Sequence, residues 1–416
     1  MKILFLSTEN PYPPVGGHHL RTFNILKILA REHKIYFIAF AQDENEFNYI
    51  ADIKKYCETV NIYPISKTGY NLGFLSLAAK NLFSRYPLVA QRYFIKEARE
   101  RVKEILTRHS IDLIHVDMLA LGQFRKILNQ SPAILTNHNV ESLRLYRLMV
   151  IARNPLIKSY LFYEYMKLRD FEKRICPQFD MCIVVSNYDK NYLENLCGTK
   201  NFAVIPNGVD IEYFKPLPEK VRRKHLVWVG GMSGPYNADA VDFFLDRIWV
   251  HIKSEEPGTT IDFIGESPTR KLREKALQDS NIKIYGFVPD IRPIVQQASV
   301  FVAPIRSGSG TKIKILNAMA QAKAVVATTN AAEGIDVIVG EHILVGDEHE
   351  DFAKKVVYLI RNCEIAENMG RMARELIGRK YSWDAIEKDI YLLYENCRKL
   401  REKENIVSER NKMGGK

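Results

Sequence analysis

The sequence predicts an α/β protein of two doubly wound domains, each a parallel sheet with helices on both faces. Two observations lead to this class. Short runs rich in β-branched residues alternate with amphipathic segments of helical length, an order typical of parallel sheets, and the alternation occurs twice. The chain has 416 residues, which suits two domains of about 200 residues better than one core.

Twelve short runs are the predicted strands of these two sheets. Seven lie in the first half: KILFLS, KIYFIAF, VNIY, DLIHV, AILTN, MCIVVS and FAVIP. Five lie in the second half: HLVWVG, TIDFIG, IKIYG, VFVAP and AVVAT. Ligands of doubly wound sheets bind at the carboxyl ends of the strands, so the loops there are the candidate sites. Helices are predicted between the strands, among them 19–32, 97–108, 141–175, 237–252, 312–321 and 349–361.

The predicted domain boundary lies in the segment PNGVDIEYFKPLPEK. Pro206, Asn207 and Gly208 form a turn there, and two further prolines stiffen the connection. We therefore divide the chain into domains at 1–205 and 206–380. A last amphipathic helix follows the second sheet, and the polar residues 405–416 are predicted to form a frayed tail.

Composition narrows the class of protein. Charged residues make up 26% and hydrophobic residues 46% of the chain, as in ordinary soluble proteins. No run reaches the roughly 18 apolar residues of a membrane-spanning helix. The apolar start, MKILFLS, is too short for the core of a signal peptide and suits a buried strand. Six scattered cysteines without a CxxC pair favour a reduced, cytoplasmic compartment.

The net charge of +11 predicts an anionic partner or a solvated basic surface. No nucleic-acid-binding motif is present, so we expect no nucleic acid. Residues 69–96 combine aromatic, aliphatic and basic side chains at helical spacing. Such a segment fits a membrane surface, a core helix or the wall of a substrate pocket. We expect peripheral contact with an anionic membrane, on the inner face of the plasma membrane.

The first candidate ligand-binding loop follows the first predicted strand. Gly16 and Gly17 would let the backbone approach a ligand, and the next helix would offer its N-terminus to an anion. A tight turn without a ligand explains the glycines equally well. The dinucleotide fingerprint G-x-G-x-x-G is absent, which argues against an NAD enzyme. Adjacent His18 and His19 should point in different directions, so we expect no metal there.

A second candidate is His138, directly after the strand AILTN. The carboxyl end of a strand is where this fold presents functional side chains, so His138 could bind a substrate hydroxyl or assist proton transfer. A lone histidine is more often structural. Asp117 and Ser186 also follow strands, although Ser186 fits a helix N-cap equally well.

The most informative segment is 300–327 in the second half. Arg306 precedes a glycine-rich loop, and the helix after that loop begins with Lys312. Glycines, a helix N-terminus and nearby cations, Lys314 among them, predict a diphosphate site that needs no metal. A solvated basic loop is the alternative. Other candidate ligand-binding residues are Gly230, Gly231, Ser309, Gly310, Thr311 and Asn317, the last for ribose hydroxyls.

Seven motifs together resemble the GT-B glycosyltransferases of family 4, over nearly the whole chain. They are PYPPVGGHHLRT, TNHNVES, VVSNYD, VIPNGVDIEYF, VGGMSGPYNADAVDFF, GFVPDIRPIVQQASVFVAPIR and SGTKIKILNAMAQAKAVVAT. The resemblance implies that a nucleoside-diphosphate sugar binds the C-terminal domain and an acceptor the N-terminal domain. It also implies retention of configuration, no metal or cofactor, and a final helix, 382–404, that completes the N-terminal domain.

The resemblance also assigns roles to single residues. Gly16 and Gly17 match the family's glycine loop near the donor phosphates, and His138 matches a histidine near the transferred sugar. Many members bind the diphosphate with an Arg/Lys pair after the first C-terminal strand. This chain has GGMSGPYNADA there and lacks the pair, so Arg306 and Lys312 are the candidate substitutes.

The family's E-x7-E motif is altered in this chain. Ser309 stands at the first glutamate and Asn317 at the second, which usually binds the ribose. Asparagine keeps one acceptor and adds a donor but loses the charge. Weaker donor binding, a changed nucleotide preference and loss of activity are three open consequences.

The sequence thus predicts a glycosyltransferase that acts on a glycan or lipid-linked acceptor in the synthesis of cell-surface polysaccharide or glycoconjugate. Arg306 and Lys312 would stabilise the leaving diphosphate, and His138 would orient the sugar. Two alternatives stay open. A non-hydrolysing sugar-nucleotide epimerase would share the architecture, and Asn317 is compatible with a catalytically impaired relative that only binds a nucleotide sugar.

Overall fold

The computed structural model describes residues 1–14, 16–66, 72–128, 131–152 and 154–413. The chain forms two compact units. The N-terminal unit comprises Met1–Tyr146, Arg153–Pro206 and Glu387–Lys416, and the C-terminal unit comprises Arg147–Ala152 and Asn207–Ile386. None of the described helices is long and apolar enough to cross a membrane.

A seven-stranded parallel sheet forms the centre of the N-terminal unit. Its spatial order is β3-β2-β1-β4-β5-β6-β7. Helices cover both faces, so the strands are almost continuous apolar runs, as expected for a buried parallel sheet. The strands are β1 (Lys2–Ser7), β2 (Lys34–Ala41), β3 (Thr59–Pro64), β4 (Leu113–Asp117), β5 (Ala133–Thr136), β6 (Met181–Val184) and β7 (Phe202–Val204).

Eight helices connect these strands. The predicted helix 141–175 is two helices, because Pro155 begins a new one and Asn154 caps it by accepting hydrogen bonds from the Leu156 and Ile157 amides. The helices are α1 (Gly17–Ala30), α2 (Ile50–Lys54), α3 (Leu72–Asn81), α4 (Leu88–Gln91), α5 (Lys96–Arg108), α6 (Glu141–Ile151), α7 (Pro155–Ile175) and α8 (Asn187–Cys197). Short 3-10 turns span Glu44–Tyr49, Leu119–Ile127 and Cys176–Gln178.

The C-terminal unit has a six-stranded parallel sheet in the order β10-β9-β8-β11-β12-β13. Alternate residues of β8 enter two different apolar clusters, Val227 one and Trp228 the other, because successive side chains point to opposite faces. The strands are β8 (His225–Val229), β9 (Thr260–Ile264), β10 (Ile282–Gly286), β11 (Val300–Ala303), β12 (Ala324–Ala327) and β13 (Leu344–Val345). The two-residue β13 was not predicted, because it is too short to show a pattern.

Nine further helices complete the described chain, with a π-helical turn at Phe244–Ile248 between α9 and α10. They are α9 (Pro235–Phe243), α10 (Trp249–Glu255), α11 (Arg270–Gln278), α12 (Arg292–Gln297), α13 (Ile313–Ala320), α14 (Thr329–Ala332), α15 (His349–Arg361), α16 (Cys363–Lys380) and α17 (Trp383–Met413).

Helix α17 completes the N-terminal unit from Glu387 onward. Arg31 pairs with Glu387, the Tyr391 hydroxyl donates to the Ile28 carbonyl at 2.6 Å, and the Tyr394 hydroxyl bonds to His115 Nδ1. The helix extends to Met413, beyond residue 405, where the polar tail was predicted to begin. This segment is rich in Glu, Lys and Arg, which favour helix. Residues 414–416 lie outside the described part.

Both sheets reverse their strand order at one point, between β1 and β4 and between β8 and β11. All twelve predicted strands form, and the prediction of two doubly wound parallel sheets is confirmed. In such sheets, ligands bind beyond the carboxyl ends of the strands at the reversal. The predicted site residues follow these strands or their immediate neighbours.

Candidate active site

In the N-terminal unit, a histidine and an aspartate from neighbouring strands form a buried pair. His138 follows β5, and its Nε2 lies 2.6 Å from Oδ1 of Asp117 at the end of β4. The Thr22 hydroxyl of α1 donates to the other carboxylate oxygen at 2.6 Å. Burial alone would raise the pKa of Asp117, but its electrostatic interaction with the His138 ring and hydrogen bonds from His115 and His138 hold it well below its ordinary value.

The surroundings of the His138 imidazole favour its neutral form. Burial lowers its pKa, and the opposing effect of Asp117 does not fully compensate. With Nε2–H donated to Asp117, Nδ1 is the acceptor nitrogen of the ring. Asp117 fixes the tautomer and orientation of His138, a role the sequence had not assigned. The clue was the parallel register, in which Asp117 lies beside Thr136, two residues before His138.

Gly16 immediately precedes α1, and Gly17 is the first residue of this helix. Gly16 has a φ of 95°, which favours glycine, and a Cβ built there would meet open space. No acidic side chain lies in the first turn of α1. The first turn of α1 thus carries no acidic side chain that would repel an anion, and the role of the two glycines stays a prediction.

His18 and His19 converge, so the expectation that they diverge is wrong. Nε2 of each lies 2.6 Å from Oε1 of Glu9, and the two rings stack with centroids 4.9 Å apart. Both belong to the first turn of α1, from which they reach back to the loop after β1. Burial would raise the pKa of Glu9, but the two histidines lower it to about 2. The three side chains offer ligand atoms within 4.8 Å of one another, a spacing that a metal ion could use.

A cavity of about 280 Å³ lies beside this cluster in the N-terminal unit. Its wall combines apolar, aromatic and charged side chains, a mixture suited to a polar organic ligand with apolar faces. The wall includes Glu9, Arg92, Tyr93, Met118 and Arg144.

In the C-terminal unit, the predicted cations Arg306 and Lys312 already have partners. Arg306 makes two hydrogen bonds, of 2.6 and 3.2 Å, to Asp239 of α9. Lys312 Nζ donates to the carbonyl of Gly310 at 2.8 Å. Ser309 and Thr311 are buried within the loop. Asp239 belongs to the GGMSGPYNADA segment, so this segment supplies the partner of Arg306.

Lys314 is half-buried, and its described contacts include no carboxylate. Its Nζ donates to Asn237 Oδ1 at 3.0 Å and lies 4.7 Å from the centre of the Trp228 ring. Burial, with the nearby charge of Lys312, lowers the pKa of Lys314 from 10.5 to about 7, and no carboxylate of the described chain offsets this. Gly230 packs against the ammonium, because a Cβ there would overlap Nζ.

Several buried polar atoms of the C-terminal unit have no hydrogen-bond partner in the described chain. Asn317 lies three residues after Lys314, so both side chains share a face of α13. Buried polar atoms are almost always hydrogen-bonded in native proteins, and each unsatisfied one costs about 1–3 kcal/mol. A ligand could satisfy them. Among the buried atoms that have no hydrogen-bond partner in the described chain, four lie on β8, in the loop before α13, on α13 and on α14: Trp228 Nε1, Ser307 Oγ, Asn317 Oδ1 and Asn330 Oδ1.

Comparison with known sequences identifies both halves of the chain. A model of Glycosyltransferase Family 4 matches residues 15–213, and a model of Glycosyl transferases group 1 matches residues 223–362. An uncharacterized 44.6 kDa protein in the cps region of Klebsiella pneumoniae is 22% identical over 93% of this chain and 99% of its own. The putative glycosyltransferase EpsD of Bacillus subtilis is 22% identical over 82% of this chain and 96% of its own.

Solved structures share the fold over almost the full length. Sucrose-phosphate synthase from Thermosynechococcus elongatus superposes with a TM-score of 0.71 at 17% identity, covering 95% of this chain and 99% of its own. HepE of Anabaena in complex with UDP superposes with a TM-score of 0.66 at 15% identity, and the match covers 95% of this chain and 100% of HepE. With two matched family segments and this fold, the chain is a glycosyltransferase and belongs to the group 1, family 4 type of the GT-B enzymes.

Proposed function

We propose that this enzyme transfers a sugar from a nucleoside-diphosphate sugar to a glycan or lipid-linked acceptor, in the synthesis of cell-surface polysaccharide or glycoconjugate. The observation that carries the proposal is the half-buried Lys314, whose ammonium packs against Gly230 and has no anionic partner in the described chain. A cation that is partly removed from water in this way is stabilised by an anion, and a diphosphate supplies one. The HepE complex with UDP supports a nucleotide donor.

The donor would bind at the carboxyl edge of the C-terminal sheet. Its diphosphate would contact Lys314 and the Ser309–Thr311 loop, with Gly231 nearby. Arg306 and Lys312 would add positive charge at the rim. The ribose would bind Asn317, whose side-chain oxygen has no other partner in the described chain. These contacts strengthen as charge grows on the leaving phosphate, which is how preorganised donors accelerate such a reaction.

The reaction would proceed with retention. The bond between the anomeric carbon and the diphosphate oxygen breaks, the acceptor oxygen bonds to the same face of the sugar, and the leaving phosphate takes the acceptor's proton. Asp117 is held by Thr22 and His138, so it is poorly placed to act as a covalent nucleophile. Neutral His138 would orient the sugar through hydrogen bonds, and Gly16 and Gly17 would admit the donor phosphates to the N-terminus of α1.

The acceptor would bind the N-terminal unit, in the cavity lined by Tyr93, Arg92 and Arg144. Tyr93 offers an aromatic side chain for a sugar, and the two arginines offer charged donors to acidic or hydroxyl groups. An acceptor on a lipid carrier would place the enzyme at the inner face of the plasma membrane. The net charge of +11 supports attraction to such an anionic surface.

The transfer would need no metal or cofactor. Cations of the protein would balance the diphosphate, and the Glu9 carboxylate is already compensated by His18 and His19. Removal of divalent ions should therefore leave donor binding and turnover unchanged. Loss of both on chelation would assign the Glu9 cluster to the reaction instead.

A nucleotide-sugar screen tests this proposal. Thermal shift and nucleotide-diphosphate release would be measured against a panel of donors, each with and without a chelator. We expect one donor to raise the melting temperature selectively, since only the folded protein binds it, and to be slowly hydrolysed. Binding without release or transfer to any acceptor would indicate an impaired relative. No binding of any donor would refute the proposal.

A further inference from the structure

Two stretches of the sequence carry no acidic residue. Residues 59–96 and 142–163 contain neither Asp nor Glu, although acidic residues make up 49 of the 416 positions. Both stretches contain cations, and exposed ones lie beside the apolar residues discussed next. These cations are Lys80, Arg85 and Lys158.

Large apolar side chains of both stretches are exposed to solvent. Phe83, just after α3, is 95% exposed, and Leu156 in the first turn of α7 is 80% exposed. Scattered exposed apolar residues need no explanation, but a group of large ones on adjoining elements marks an interaction site. We call the following group the apolar patch: Leu82, Phe83, Leu156, Ile157 and Phe162.

Hydrogen bonds from α7 hold the segment that carries Leu82 and Phe83 in place. The Tyr163 hydroxyl of α7 donates to the Leu82 carbonyl at 2.6 Å. Lys167, also on α7, donates to the Asn81 carbonyl at 3.0 Å and pairs with buried Glu164 at 2.8 Å. The end of α3 is therefore held to α7 by polar contacts, of which those of Lys167 are buried, so Leu82 and Phe83 lie beside this helix.

We propose that the apolar patch inserts into the headgroup region of an anionic lipid bilayer, with Arg85 and Lys158 at the lipid phosphates. Aromatic and aliphatic side chains at the tip with cations at the edge are the arrangement of interfacial membrane contacts. The acid-free sequence around the patch removes the repulsion that an anionic surface would exert on carboxylates. A second copy of this chain is a poorer occupant, because its patch would bring the same cations together. This inference rests on the proposed lipid-linked acceptor and names the surface that reaches it.

Vesicle flotation of the full-length protein tests the patch. Vesicles of equal parts phosphatidylglycerol and phosphatidylcholine would be compared with phosphatidylcholine alone. We expect binding to the anionic vesicles, and about a tenfold or greater loss of binding in the F83S/L156S double variant. L277S in the C-terminal unit is the matched control, since Leu277 is 89% exposed and belongs to neither stretch, and should bind like the unchanged protein.

Two measurements separate the outcomes. Donor-induced thermal shift should be equal in all variants, because the patch contains no proposed donor contact. Unchanged donor shift with no vesicle binding by the unchanged protein would overturn the membrane inference and leave the donor chemistry standing. Equal flotation of F83S/L156S and L277S would overturn it as well. If the unchanged protein does not bind vesicles and light scattering gives F83S/L156S a different mass from it, the patch is an interface between protein chains.

Discussion

Replacing Lys314 by methionine should stabilise the unliganded enzyme and weaken donor binding. Methionine fills a similar volume without a charge, so the C-terminal unit no longer buries an ammonium whose partners are an amide oxygen and a ring. The shift of the Lys314 pKa from 10.5 to about 7 corresponds to a cost of at most about 4 kcal/mol at pH 7. Loss of the hydrogen bond to Asn237 reduces the resulting gain in stability by about 1 kcal/mol.

The expected net gain is about 1–3 kcal/mol in the free energy of unfolding, a rise of a few degrees in melting temperature. Donor affinity should fall about 10- to 100-fold, because a charge-assisted hydrogen bond contributes about 1.5–3 kcal/mol. Thermal unfolding with and without donor measures both quantities. A destabilised variant that binds donor normally would refute the assignment of Lys314.

Lys323 provides the matched control, since it is a buried lysine of the same unit. Its Nζ donates to the carbonyls of Gln296 and Ala298 at 2.7 and 3.2 Å. Lys323→Met would leave these carbonyls unsatisfied and should destabilise the unit by about 1–3 kcal/mol, with donor affinity unchanged.

The pH dependence has a definite sign. Between pH 7 and 10.5 the unfolded chain holds a proton on Lys314 that the folded protein has released, so the stability of the unliganded enzyme rises with pH across this window through Lys314. Donor affinity should fall above pH 7, since the free enzyme must first take up the proton. Both dependences should be flatter in Lys314→Met.

Three further changes test other parts of the structure. Asn317→Glu should strengthen donor binding about tenfold by adding a charged acceptor for the ribose, measured by calorimetry, and weaker binding would argue against the ribose contact. Burial raises the pKa of Glu172 from 4.5 to about 7, so the stability that this residue contributes is lost as pH rises from 4.5 to 7, by at most about 3 kcal/mol. In Glu172→Gln the free energy of unfolding should therefore depend less on pH in this range. Gly208→Ala should destabilise the C-terminal unit by more than about 1 kcal/mol, because a Cβ there overlaps the Trp383 indole, and an unchanged melting temperature would contradict this contact.

The fold could be predicted because its strands are buried on both faces and therefore stand out as apolar runs. The loops could be predicted because glycines and cations follow those strands. Strand β13 escaped prediction, since Leu344 and Val345 are too few to form a pattern. Pro155 and Asn154 do carry the signal for a new helix, which the long amphipathic run 141–175 obscured.

The site was predicted less completely, because the sequence does not show which side chains meet. Arg306, Lys312 and Lys314 lie within nine positions, and only the structure shows that Arg306 meets Asp239, Lys312 the Gly310 carbonyl and Lys314 Asn237. Likewise, the stacking of His18 on His19 depends on where α1 begins.

The position of α17 has a consequence for biosynthesis. Helix α17 supplies Tyr391 and Tyr394, which bond to Ile28 and to the buried His115 of a sheet translated hundreds of residues earlier. During translation the surface of the N-terminal sheet that α17 covers must therefore stay exposed until α17 itself has been made. The nascent chain at this stage is a natural client for a chaperone, and a premature stop codon before Trp383 would leave an aggregation-prone product rather than a smaller enzyme.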